Sequence, residues 1–166
     1  MADTDRDADF TAYVRARQHA LSRFAYLLTG DPHSAEDLVQ AALAKVYGAW
    51  DRIGQIEAPE AYIRRLIVNE HTSWWRRAWR HRERVDSDLI TVMDPAAAVR
   101  AEHDGDLWAH IQTLTPRQRA AVVLRYYEDL SEAQTAEILG CSVGTVKSHT
   151  SRAIASLRLK MKEVVA

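Results

Sequence analysis

Ser73 to Arg80, read as SWWRRAWR, sets three of the chain's five tryptophans among Arg76, Arg77 and Arg80. Planar aromatic faces next to fixed cations either pack a basic helix or form a surface for something flat and negatively charged. A second group lies near the end of the chain. Lys147, Ser148, Ser151 and Arg152 are spaced to share one side of a helix with the small residues Gly144 and Ala155. Small side chains let a helix enter a major groove, while cations and hydroxyls reach phosphates and base edges. From Gly144 to Lys162 there are five Lys or Arg and no acid. Nothing in the chain has the spacing of a catalytic site: there is no glycine-rich phosphate loop, no metal-ligand cluster and no nucleophile beside a base. The seven histidines are scattered, and no pair has metal spacing. The chemistry expected is binding, with no enzyme activity, no cofactor and no metal.

Charge is distributed in blocks. Residues 64–84 carry seven Arg against two Glu, residues 85–106 one Arg against six acids, and residues 107–166 eight basic against five acidic residues. Two basic surfaces separated by an acidic connector suit a polyanion partner, although net charge is only -1. The single cysteine, Cys141, excludes an internal disulfide and a Cys-based zinc site. The acidic start MADTDRDADF is not a signal peptide, and no apolar run is long enough to span a membrane. A cytoplasmic location is expected.

The elements that must position these residues are helical throughout. Phe10, Tyr13, Val14, Leu21, Phe24, Ala25 and Leu28 recur at helical spacing, and Gly30 with Pro32 stops that run. Asp31 or Ser34 can cap a second helix whose stripe is Leu38, Val39, Ala42, Leu43, Val46 and Trp50. A third helix is expected from about Glu60, after Pro59, to about Arg82, with Ile63, Leu66, Ile67, Glu70 and Trp74 inside. Trp74 is thereby expected in the core. Trp75 and Trp79 share another face, serving packing in the favoured reading and DNA contact in the other. Residues 85–103 are an acidic stretch without sustained periodicity. Beyond it, Thr115-Pro116-Arg117-Gln118 and Ser131 with Gln134 are helix starts. Gly140 suits a left-handed helix end, and Ser142 can cap the last helix. Ala133 and Ala136 suit a close crossing. The fold class expected is all-α: two small helical domains joined by an acidic linker, over residues 8–84, 85–103 and 104–166. The second domain carries a helix-turn-helix in LSEAQTAEILGCSVGTVKSHTSRAIASLR.

That segment resembles domain four of bacterial RNA polymerase sigma factors, and in outline the LuxR-type DNA-binding domain. The helical first hundred residues favour the former. AEDLVQAALAKVYGAWDRI, residues 35–53, resembles the domain-two helix of extracytoplasmic-function sigma factors that docks on the polymerase clamp helices. APEAYIRRLIVNEHTSWWRRAWRHR, residues 58–82, resembles the helix that opens the minus-ten element. The resemblance implies a transcription-initiation subunit, with a stand-alone LuxR-like regulator as the alternative. It implies core polymerase contact at Asp37 and Gln40. Arg64, Arg65, Asn69, Ser73, Arg76, Arg77 and Arg80 would hold the minus-ten strand, and Lys147, Ser148, Ser151 and Arg152 would read the minus-thirty-five element. Arg117, Arg119 and Arg125 would lie near the polymerase flap and upstream DNA. The implied partners are core RNA polymerase (clamp helices and flap), promoter DNA and an anti-sigma factor of the kind that commonly holds such proteins off, with no membrane. Ser73 departs from the family's frequent Asp, and Ala41 and Ala42 from its more polar residues.

Overall fold

The computed structural model describes residues 2–53, 59–85 and 106–165; the expected linker therefore lies almost wholly outside the described residues. Among those residues every regular element is helical, as the periodicity requires. Backbone contacts group the chain into two units, residues 1–70 and 71–166.

In the first unit, α1 spans Ala2–Thr29, about two turns longer than the apolar pattern predicts. The reason is tertiary. Arg6, inside the acidic run, donates to Asp51 Oδ1 at 2.9 Å, and its guanidinium lies 4.5 Å from the Tyr47 ring centroid. The Tyr47 hydroxyl donates to Asp7 at 2.8 Å. Phe10 meets Tyr47 and Trp50 edge to face at 5.1 and 5.3 Å, a favoured arrangement of aromatic quadrupoles. Helix α1 ends at Thr29, before Gly30, whose φ of 71° few other residues tolerate.

Helix α2, Pro32–Gly48, starts on Asp31 rather than Ser34: the carboxylate accepts the Ser34 N–H at 2.8 Å. Leu38, Val39, Ala42, Leu43 and Val46 are buried, and Trp50 is buried in a short following turn, α3, Trp50–Ile53. Each large apolar side chain buried this way contributes about 1.5–3 kcal/mol. Helix α4, Pro59–Val85, begins with proline at its first position, where no N–H is needed. Ile63, Ile67 and Val68 are buried. Glu70 falls on this inner stripe because Lys45 of α2 pairs with it. Arg17 of α1 pairs likewise with Glu60.

The second unit begins at His71, inside α4. It contains α5 (Asp106–Gln112), α6 (Pro116–Val122), α7 (Glu132–Leu139) and α8 (Val143–Val165). Ile111, Leu114, Val122, Ala153 and Leu157 form a shared core. Helix α6 runs on as a wider π-helical turn, Val123–Tyr127, which leaves Tyr126 and Tyr127 exposed. Two expectations change here. Trp74 is only partly buried, and His71, one turn earlier, takes the enclosed position. Ala133 is exposed, so Ala136 alone of the two alanines is buried.

Candidate nucleic-acid interface

Helix α8 is seated by a series of local devices that the sequence predicts. The Ser131 hydroxyl accepts the Gln134 N–H at 3.1 Å, and the Gln134 side chain accepts the Ser131 N–H at 2.9 Å, a complete capping box. Gly140 ends α7 at φ 66°, ψ 38°, a conformation glycine adopts without steric cost. Ser142 Oγ then accepts the Thr145 N–H at 3.1 Å and opens α8. Val146, Ala153 and Leu157 point into the core. Gly144, Lys147, Ser148, Ser151, Arg152 and Ala155 are all exposed. The four residues expected to read duplex DNA therefore lie together on an open face of small side chains.

Electrostatics sharpen this face. His149 lies between the two cations. Burial first, then the charges of Arg117 and Arg152, push its pKa down, so the imidazole is neutral at neutral pH. The positive charge on the first turns of α8 is thus concentrated at Lys147 and Arg152. Lys147 has a carboxylate neighbour, Glu132 of α7, at 3.7 Å, a long and exposed contact that contributes little and yields readily to a phosphate.

Arg117, Arg119 and Arg125, on the segment that the resemblance places near the flap, each hold a backbone carbonyl of this unit. Arg119 is 5% exposed. Its guanidinium donates to the carbonyls of Ile111 (3.3 Å), Gln112 (2.7 Å) and Leu114 (3.1 Å). These carbonyls lie at the end of α5 and in the turn after it, where a helix's last carbonyls lack the full set of intrahelical donors; Ile111 O also accepts the Leu114 N–H at 3.2 Å. Burial lowers the Arg119 pKa to about 10, and the group stays charged at neutral pH. Arg117 Nη1 donates to Leu139 O at 2.9 Å, and Arg125 to Leu130 O. Arg119 thus ties α6 to the end of α5, and Arg117 and Arg125 tie it to the two ends of α7. The signal for Arg119 lay in its neighbours: it opens the apolar run Ala120–Leu124, every member of which is buried.

Helix α4 offers the second face. Arg65, Asn69, Ser73, Arg76, Arg77 and Arg80 are exposed along one side of it. Arg64 is turned aside and half-buried. Its charge acts on the Tyr13 hydroxyl, whose pKa burial, then Glu60, raise to about 12 against the opposing charges of Arg17 and Arg64. Trp75 is 42% exposed beside Arg76; the Trp79 side chain lies outside the described residues. On α2, Asp37 and Gln40 are exposed opposite the buried stripe. Among the described residues no group of His, Cys, Asp or Glu is placed to hold a metal ion, and no helix is long and apolar enough to cross a membrane.

Comparison with known proteins identifies the family. Residues 3–81 match Sigma-70 region 2, and residues 105–157 match Sigma-70 region 4. The RNA polymerase sigma-E factor of Streptomyces coelicolor is 43% identical over 160 residues, covering 95% of this chain and 87% of that protein. The chain belongs to the extracytoplasmic-function sigma factors. The family's SigL of Mycobacterium tuberculosis is 34% identical over 158 residues, covering 89% of this chain and 86% of that one. Among solved structures, the sigma factor RpoE of Bartonella quintana, in complex with the anti-sigma factor NepR, superposes with a TM-score of 0.71 at 26% identity, covering 93% and 97% of the two chains. Sigma factors act in transcription initiation and are transcription regulators, not enzymes.

Proposed function

We propose that this sigma factor binds core RNA polymerase, directs it to promoters and helps open them, with the labour divided among its helices. Asp37 and Gln40 on α2 contact the clamp helices, and the second domain contacts the flap. Arg65, Asn69, Ser73, Arg76, Arg77 and Arg80 on α4, with Arg64 at its start, hold the minus-ten strand. Arginines engage phosphates, Asn69 a base edge, and Trp75 offers a stacking surface for an exposed base. Lys147, Ser148, Ser151 and Arg152 on α8 read the minus-thirty-five element in the major groove. The working division is residues 8–84 and 104–166, joined by 85–103.

The observation that carries this reading is the sorting of α8: every residue expected to reach DNA is exposed, while Val146 and Ala153 on the same turns are fully buried. An anti-sigma factor that covers the polymerase-binding face is part of the proposal, by extension from the Bartonella complex. The test is transcription from a promoter library by purified core polymerase with and without the protein, mapping start sites. New starts that share two elements at fixed spacing are expected. Unchanged starts, together with protection of a duplex site by the protein alone, would make it a LuxR-like regulator instead.

A further inference from the structure

The outer face of α1 carries a feature that neither DNA-reading face uses. Arg15, His19 and Arg23 stand at four-residue spacing and are all exposed. Successive members are about 6 Å apart along the helix axis and form one row. The row lies opposite the side that buries Leu21, Phe24, Ala25 and Leu28. Ala8, Ala12 and Ala16 flank it and are exposed as well. From Phe10 to Gly30 the chain has no acidic residue, although the nine residues before it carry four Asp.

A row of surface cations is ordinarily only solvated. Here the treatment of neighbouring cations differs. Arg6, Arg17 and Lys45 of the same unit each meet a carboxylate: Asp51, Glu60 and Glu70. Among the described residues Arg15, His19 and Arg23 have no ion-pair partner. The row also has the composition of the exposed side of α8, with long cations among alanine-sized residues that let a phosphate backbone come close.

We propose that Arg15, His19 and Arg23 form a third DNA contact, taking the phosphate backbone without reading sequence. This extends the sigma-factor reading. Each cation that neutralises a phosphate releases counterion, so its loss makes binding less salt-dependent and weakens all sequences alike.

The experiment uses the full chain with core polymerase and compares wild type with Arg15→Gln/Arg23→Gln. Promoter binding is titrated from about 50 to about 200 mM salt, where two phosphate contacts account for roughly tenfold in affinity and a slope change of about 2. The double variant is expected to lose that tenfold sensitivity, equally on promoters with different elements, while Arg15→Lys/Arg23→Lys keeps it. Its affinity for core polymerase is expected to match wild type. Identical slopes would overturn the proposal. So would weakened polymerase binding with an unchanged DNA slope, which would assign the row to an acidic face of the polymerase. The same titration with the protein alone on plain duplex tests the row even if the chain directs no transcription, so the two readings fail separately.

Discussion

Helices α4 and α8 both present cations to solvent, yet they are built differently. On α8 the cations Lys147 and Arg152 sit among Gly144, Ser148, Ser151 and Ala155, and the helix is fixed by a capping box, a left-handed glycine and a buried arginine tie. On α4 the cations are interleaved with tryptophan, and Trp75 is 42% exposed. The first arrangement suits a regular duplex: small residues let the helix approach, and rigid seating holds its side chains in register with base edges. The second suits a strand whose bases have left the stack, because aromatic faces accept any base and arginines follow the backbone. On the proposed function, one chain would use two surface grammars for two states of DNA.

The largest effect is expected from removing the seat of α8. Arg119→Met removes a buried donor that three carbonyls share and should cost about 3 kcal/mol, read by denaturant unfolding. Arg119→Lys should fail nearly as badly, since an ammonium cannot span three carbonyls as a guanidinium does. A loss under about 1 kcal/mol would mean that the tie is dispensable and the seating argument wrong.

The next effect is a pH dependence in the second unit. His71 is 9% exposed, and burial, then the charge of Arg119, lower its pKa from 6.5 to about 4. Below about pH 6.5 the unfolded chain takes up a proton that the folded chain refuses until about pH 4. Stability should therefore fall as pH drops through that window, by on the order of 3 kcal/mol in total. His71→Gln should flatten that part of the curve in melts recorded across the range; an equally steep variant would point to another group.

The comparison itself is tested by a crossed pair. Trp75→Ala should weaken capture of single-stranded minus-ten DNA by about 1–3 kcal/mol while duplex recognition of the minus-thirty-five element is unchanged. Arg152→Ala should do the reverse, with about 1–3 kcal/mol lost if it contacts a base edge. If both variants weaken both substrates alike, the division of labour fails. The smallest effect is local: Ser131→Ala should cost about 1 kcal/mol of stability through the lost cap, measured by thermal melting.

Much of the fold was legible because its signals are local. The stripe Leu38–Val46, the Ser131–Gln134 box and the Gly140 stop each depend on residues within a turn or two. So was the exposed set on α8, since a helix with one apolar stripe leaves its other side to solvent. Misreadings came where a distant partner decides. The acidic start joins α1 because Tyr47 and Asp51, some 40 residues away, receive Arg6 and Asp7. The half-burial of Arg64, beside exposed Arg65 on α4, is likewise set by its tertiary surroundings.

By itself, then, the sequence determined the caps and stops of α2, α6 and α7, the cap of α8, the main apolar stripes and which family the motifs resemble. Helical period and capping chemistry act over three or four residues and need no knowledge of the whole. Tertiary structure alone decided which charged residues are tools and which are fastenings. Arg119 and Arg152 are the same residue type on neighbouring helices. One is buried against three carbonyls and the other is open to solvent. The cost of burying a guanidinium depends on which backbone groups the fold brings to it, and that cannot be read from a stretch of chain.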